Sequence, residues 1–208
     1  MTRLKGHGEV PSQIIDLTLH DWYEQVLAEY NRLNKSCTKI NLVGFSFGGT
    51  LATRLAENTD VNNIYLLSPY LFANYEFYRV FKLETYLDTF ADVLIYSKKT
   101  QIGQINSDNS LDKHIAYWNM PFAPVKYSKS FFEDTKNNLN KIHEPIFLQQ
   151  SKNDKTSDIE SSVFIYENVA SLNKKIVVFE NSNHILPEDY DKEEVIINII
   201  NFEKETRD

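Results

Sequence analysis

Apolar residues along this chain are concentrated in short runs that are separated by amphipathic segments. Four of the runs have the length and composition of buried strands and are bounded by polar residues: 39–45, 63–69, 145–151 and 174–180. The segments between them carry apolar residues at helical spacing. Because strand and helix alternate, the pattern predicts an α/β fold in which a parallel sheet is flanked by helices.

Short polar patterns indicate where several helices start. Thr18 and Asp21 form the T-x-x-D arrangement of a capped helix start, and apolar residues then recur on one face of the expected helix. These residues are Trp22, Val26, Leu27, Tyr30 and Leu33. Ser157 and Glu160 form an S-x-x-E pattern, which predicts the start of a later helix. A further helix is expected at about 128–141, ahead of the third strand.

Residues 70–126 interrupt the alternation of strands and helices. The stretch is dense in aromatic residues at mixed spacing, namely Tyr70, Phe72, Tyr75, Phe77, Tyr78, Phe81, Tyr86, Phe90 and Tyr96. We interpret it as a small cap inserted into a single domain that spans residues 1–208. The aromatic side chains either line an apolar pocket or pack the cap onto the sheet, and mixed spacing is compatible with both roles.

Charge and composition narrow the classes of partner. The 208 residues carry a formal net charge of −7, which argues against nucleic acid or an anionic membrane surface and favours a small neutral or apolar substrate. Cys37 is the single cysteine, so an intrachain disulfide is impossible, and no signal-peptide pattern precedes Gly6. We therefore expect a cytoplasmic protein. The longest apolar runs, such as 195–200, are far shorter than the roughly 18 residues of a membrane span, so no span is expected.

The candidate chemistry is centred on Ser46, where the first strand gives way to helical residues. Gly44 and Gly48 flank this serine in a G-x-S-x-G pattern, and we expect the turn to require the absence of a side chain at both positions. The amide N–H of Phe47, which opens the helix, is then a candidate donor to a developing oxyanion. The alternative is a glycine-flanked turn whose serine has no chemical role.

A serine hydroxyl becomes a useful nucleophile when an imidazole accepts its proton and a carboxylate orients that imidazole. Asp154 and His184 each fall in a loop after a predicted parallel strand, so we expect both at the same edge of the sheet as Ser46. Asp158 is an alternative acid in the same loop as Asp154. Surface or packing roles are expected for His20, His114 and His143.

Three loops resemble the signature loops of the α/β-hydrolase superfamily: GFSFGG at 44–49, SKNDKTSD at 151–158 and NSNHIL at 181–186. Residues 5–26, KGHGEVPSQIIDLTLHDWYEQV, resemble the region ahead of the nucleophile in small bacterial carboxylesterases of the monoacylglycerol-lipase type. The resemblance continues to the C-terminal helix and is weakest in the cap.

The resemblance implies a serine carboxylesterase that hydrolyses short- to medium-chain acyl esters, a class that includes monoacylglycerols, through an acyl-serine intermediate. It implies Ser46 as the nucleophile, His184 as the general acid and base, and Asp154 as the acid that orients His184. Phe47 would provide one oxyanion N–H. The resemblance implies no metal ion and no organic cofactor.

The chain departs from the family pattern ahead of its first strand. In the family a second oxyanion N–H comes from an upstream loop introduced by His-Gly, whereas residues 5–8 match a later segment. We therefore expect an N-terminally truncated hydrolase that has lost one oxyanion donor, at a cost of about a hundred- to a thousandfold in rate. The alternative is that Gly6, His7 and Gly8 form this loop.

Loss of the upstream strands has a second expected consequence. The strand that carries the nucleophile would have a bare edge, and a bare apolar edge favours association with a second copy of the chain. The alternative function, from a different class, is a non-catalytic or weakly active hydrolase remnant. Such a remnant would bind a partner protein through this edge or through the cap.

Overall fold

The structure is a computed structural model that describes residues 3–72, 96–98, 104–115, 119–121 and 123–207. The strands are β1 (Asn41–Phe45), β2 (Asn63–Leu67), β3 (Tyr96–Lys98), β4 (Asn119–Pro121), β5 (Ile146–Ser151) and β6 (Lys174–Phe179). The α-helices are α1 (Leu19–Leu33), α2 (Phe47–Ala56), α3 (Asp108–Leu111), α4 (Ala123–Lys126), α5 (Lys129–Asn138), α6 (Glu160–Asn168) and α7 (Lys192–Glu205). Short 3-10 helices lie at Pro11–Ile14, Leu139–Lys141 and Leu186–Glu188.

Four strands form a parallel sheet in the order β1-β2-β5-β6. The central strands β2 and β5 are buried at every position, whereas β1 and β6 each have exposed positions. The predicted α/β fold with a helix-flanked parallel sheet is confirmed, and the four predicted strands are all present. Because the strands are parallel, the loops that follow their carboxyl ends meet at one edge of the sheet.

The two faces of the sheet are covered by different helices. Along β2, Ile64 and Leu66 belong to the core cluster that includes residues of α1 and α2. The alternate residue Tyr65 faces α7, where its ring lies 6.0 Å from the Phe202 ring. Phe147 of β5 joins the same group, at 5.1 Å from Phe202. The period of two along the strands therefore produces three layers, with helices on both sides.

Helix α1 begins with a reciprocal cap. The Thr18 amide donates to the Asp21 carboxylate at 2.9 Å, and the Asp21 amide donates to the Thr18 hydroxyl at 3.3 Å. Trp22 and Tyr30 on the predicted apolar face are buried in the core, where α1 packs on α2. The predicted capped start of this helix is confirmed.

Helix α6 begins differently from its prediction. It starts at Glu160, whose amide donates to the Asp158 carboxylate at 2.9 Å, and the Ser157 hydroxyl donates to the carbonyl of Pro69 instead of capping the helix. The expected capping role of Ser157 is therefore wrong. The physical reason is that the loop ahead of α6 folds around Asp154, whose carboxylate accepts the Ser157 amide at 2.8 Å.

Strand β1 lies at one side of the sheet. In the described part of the chain it pairs with β2 alone, and the Val43 side chain on it is 63% exposed. None of the helices in the same ranges combines the length and the hydrophobicity that a bilayer crossing requires.

Most of the predicted cap, including residues 73–95, lies outside the described residues. The described remainder contains the antiparallel pair β3–β4 and the short helices α3 and α4. Six of the predicted cap aromatics also fall outside, namely Tyr75, Phe77, Tyr78, Phe81, Tyr86 and Phe90. The cap, its apolar pocket and the single-domain assignment of 1–208 stay predictions.

Candidate active site

Ser46 occupies the sharp turn between β1 and α2. Its backbone has φ 53° and ψ −123°, a conformation that costs a non-glycine residue on the order of 1–3 kcal/mol. Hydrogen bonds hold the residue there, because its amide donates to the Leu67 carbonyl at 3.0 Å and its carbonyl accepts the amides of Gly49 at 2.8 Å and Tyr70 at 3.2 Å. The strained turn is thus fixed from β2 as well as from α2.

The glycines around Ser46 are not equivalent. A Cβ atom on Gly44 would lie 2.5 Å from the Gly48 carbonyl oxygen, so a side chain is excluded there. A Cβ atom on Gly48 would meet no described atom within 4 Å, so the expected steric requirement at this position is wrong. The requirement falls on Gly49, whose Cβ would lie 2.9 Å from Cα of Pro69 at the end of β2.

Ser46, His184 and Asp154 form a continuous chain of hydrogen bonds. His184 Nε2 lies 2.9 Å from Ser46 Oγ, and His184 Nδ1 lies 2.8 Å from Asp154 Oδ2. A carboxylate only accepts, so the proton between Asp154 and His184 belongs to Nδ1. Nε2 then carries a lone pair and accepts the Ser46 hydroxyl proton. The three residues that the sequence singled out are brought together in the arrangement of a base between a nucleophile and an orienting acid.

Asp154 is buried and surrounded by donors. Its side chain is 1% exposed, and Oδ1 accepts the backbone amides of Thr156 and Ser157, both at 2.8 Å. Oδ2 accepts the Gln150 side-chain amide at 2.8 Å in addition to His184. These donors compensate the burial of the charge and fix the orientation of the carboxylate.

Asp158, the alternative acid, lies elsewhere. Its carboxylate accepts the Glu160 amide at 2.9 Å at the start of α6, and no contact between it and His184 occurs in the described structure. Among the other histidines, His114 contacts Glu188 at 2.7 Å, His20 contacts Glu24 at 3.7 Å, and His143 is exposed.

The Phe47 amide, the candidate oxyanion donor, follows Ser46 directly in the turn. Phe47 is the first residue of α2, and its N–H has no acceptor among the described residues. The loop at Gly6 and His7 lies against α1, since Trp22 donates to the Lys5 carbonyl at 3.0 Å and stacks edge-on with His7 at 5.2 Å. The described hydrogen bonds of this loop do not reach the Ser46 turn.

Asp189, which sequence analysis missed, fixes the loop that carries His184. Its carboxylate accepts four backbone amides at 2.8–2.9 Å, two from this loop and two from residues 104–115, the described part of the predicted cap. The donors are the amides of Asn106, Ser107, Asn183 and Tyr190. Nothing in the sequence separates this carboxylate from the many surface ones, because its four donors belong to the main chain.

Two polar side chains connect the His184 loop to its neighbours. Ser68, at the end of β2 and with φ 45°, donates its hydroxyl to the His184 carbonyl at 2.9 Å. Asn183 Oδ1 accepts both the His184 amide at 2.9 Å and the Lys155 amide at 3.1 Å, so it links this loop to the loop of Asp154. In the described ranges, no group of three or more His, Cys, Asp or Glu side chains is placed to hold a metal ion.

Comparisons with known proteins extend these observations. The family model described as serine aminopeptidase, S33, matches residues 5–191, which include all three loops of the site. The chain is 29% identical over 210 residues to a thermostable monoacylglycerol lipase of Bacillus sp. (strain H-257). The alignment covers 97% of this chain and 77% of that relative. It is 22% identical over 201 residues to a carboxylesterase of Bacillus subtilis (strain 168), and that alignment covers 95% of this chain and 77% of the relative.

A solved structure shares the fold. A metagenome-derived lipolytic enzyme superposes with a TM-score of 0.84 at 23% identity, over 98% of this chain and 80% of that one. The sheet order, the serine at the strand-to-helix turn and the family match over 5–191 agree with one another. The chain is a member of the serine aminopeptidase S33 family of α/β-hydrolases.

Proposed function

We propose that the protein is a serine carboxylesterase that hydrolyses short- to medium-chain acyl esters, monoacylglycerols among them, through an acyl-serine intermediate. The observation that carries the proposal is the hydrogen-bonded chain from Ser46 through His184 to Asp154, with distances of 2.9 and 2.8 Å. Ester rather than peptide substrates are proposed because the two relatives are named for ester hydrolysis, although the family description names an aminopeptidase.

The geometry supports a two-step reaction. Ser46 Oγ attacks the ester carbonyl while its proton passes to His184 Nε2, and the resulting oxyanion accepts the Phe47 N–H. Collapse of this tetrahedral intermediate breaks the bond between the acyl carbon and the alcohol oxygen, and the alcohol leaves with the proton from His184. A water molecule then gives its proton to His184 and attacks the acyl carbon, so that the acid is released and Ser46 regains its proton.

The proposal is tested with a fluorophosphonate probe on the full chain. We expect Ser46→Ala to abolish labelling and His184→Ala to slow it by at least about a thousandfold, since neither residue works without the other. Ser171→Ala and His143→Ala are matched controls, because Ser171 is buried away from the site and His143 is exposed. Circular dichroism of each sample establishes that it is folded.

Substrate class is tested by comparing p-nitrophenyl esters of increasing acyl length with amino-acid p-nitroanilides. A preference for the anilides would replace the esterase proposal with a peptidase one.

The second candidate is a non-catalytic hydrolase that associates through the edge of β1. Val43 favours it, because this apolar side chain is 63% exposed on a strand that pairs with β2 alone in the described structure. A folded parent that does not react with the probe would favour this candidate. Sedimentation of the parent beside Val43→Lys tests the edge, and a dimer that persists in the variant would argue against it.

A further inference from the structure

Gln150 lies beneath the orienting acid. It is the fifth residue of β5, it is fully buried, and its Nε2 lies 2.8 Å from Asp154 Oδ2. That oxygen is the one that also accepts the His184 imidazole. The other end of the amide is held as well, because Oε1 lies 2.9 Å from the hydroxyl of Ser162 in α6.

The direction of each hydrogen bond in this chain is determined by chemistry. The Asp154 carboxylate cannot donate, so the NH2 group of Gln150 must face it and Oε1 must face Ser162. Ser162 then has to donate its hydroxyl proton to Gln150. Nε2 has a second acceptor in the Ser157 carbonyl at 3.4 Å. The amide of Gln150 therefore has a single orientation in which all its neighbours are satisfied.

We propose that Gln150 is a positioning residue for the Ser46 reaction, an inference that rests on the proposed function. Two backbone amides hold Asp154 Oδ1, and the Gln150 amide donates to Oδ2, the oxygen that faces the imidazole, so it helps to determine how Oδ2 is presented to His184. By occupying one lone pair of Oδ2, it leaves the other for His184 Nδ1. The Nδ1–H tautomer is thereby favoured, and this is the tautomer that leaves Nε2 able to accept the Ser46 proton.

The chain offers a matched control in the adjacent residue. Gln149 is equally buried, but its side chain lies on the opposite face of β5, where it donates to the Val195 carbonyl at 3.1 Å. Its Oε1 accepts from Asn198 of α7 at 3.3 Å. Replacing Gln149 with methionine removes a buried amide of the same kind from the same strand without touching Asp154.

The experiment measures p-nitrophenyl butyrate hydrolysis by the parent, Gln150→Met and Gln149→Met. We expect Gln150→Met to lower kcat by about tenfold with KM within about twofold of the parent, because a hydrogen bond to a buried charge is lost and no substrate contact changes. Gln149→Met is expected to keep the kcat of the parent. Ser162→Ala leaves Gln150 in place with one anchor fewer, and we expect it to lower kcat by about threefold.

A second measurement does not depend on turnover. Nitrogen chemical shifts of the His184 imidazole, assigned with His184→Ala, report which ring nitrogen carries the proton. We expect the Nδ1–H tautomer in the parent and in Gln149→Met, and a mixture of tautomers in Gln150→Met. The same result in a parent that hydrolyses no ester would retain the positioning role and remove the esterase function. An unchanged tautomer and an unchanged kcat in folded Gln150→Met would overturn the proposal.

Discussion

Glu57 is expected to make the stability of this fold depend on pH. Its side chain is fully buried at the end of α2, where Oε2 accepts from Arg54 Nη1 at 2.8 Å and Oε1 has no partner among the described residues. Burial raises the pKa of Glu57 to about 7, even though the hydrogen bond and the charge of Arg54 act to lower it. We choose Glu57→Gln as the perturbation because it keeps the size of the side chain and removes the titration.

The size and sign of the effect follow from linkage. The folded state binds this proton more tightly than the unfolded state, whose carboxyl has the ordinary pKa of 4.5. The contribution of Glu57 to stability is therefore fully present below about pH 4.5 and is lost as the pH rises through about 7. A difference of about 2.5 pH units at 1.36 kcal/mol each corresponds to about 3 kcal/mol.

Urea unfolding at pH 5, 6, 7 and 8, followed by circular dichroism, measures the contribution of Glu57 to the free energy of unfolding. We expect the free energy of unfolding of the parent, minus that of Glu57→Gln, to fall by about 2–3 kcal/mol between pH 5 and pH 8. Glu194→Gln is the control, because this exposed glutamate on α7 undergoes the same chemical change. A difference that stays constant with pH, or rises, would refute the reasoning.

Two further predictions follow from the site. Gly49→Ala should lower the free energy of unfolding by about 1–3 kcal/mol, because the new methyl group meets Pro69, whereas Gly48→Ala should be neutral or stabilising by up to about 1 kcal/mol. Thermal unfolding compares the two variants, and a Gly48→Ala protein less stable than Gly49→Ala would contradict these contacts. Asp189→Asn leaves one acceptor oxygen for four amides, so hydrogen exchange at the Asn183 amide should accelerate by about tenfold or more. Unchanged protection of this amide would argue against the Asp189 clamp, by which we mean the four amide hydrogen bonds to this carboxylate.

The parts of the site that the sequence predicted are those carried by local patterns. Ser46 was recognisable because a strand pattern changes to a helix pattern within two residues of it. Asp154 and His184 were placed by the same logic, since each follows a strand and parallel strands bring their ends together. These predictions depended on the type and order of strands and helices along the chain, and not on any contact between distant residues.

The parts that the sequence did not predict depend on contacts between distant segments. Gly49 is required by Pro69, which lies at the end of the next strand, and no local pattern shows that approach. Ser157 matched a capping pattern, but its amide is bound by Asp154 and its hydroxyl by Pro69. Gln150 looks like one more residue of a strand, since only the folded sheet shows what lies beneath Asp154.

The Asp189 clamp has a consequence for how this protein can diverge. Within the predicted cap, residues 104–115 are attached to the His184 loop through the main-chain N–H groups of Asn106 and Ser107. Every amino acid except proline supplies such a group, so these two hydrogen bonds require no particular side chain, whereas the Asn106 side chain separately donates to the Asn181 carbonyl at 2.8 Å. Ser107 can therefore change to any residue other than proline while its main-chain attachment beside the histidine is inherited unchanged.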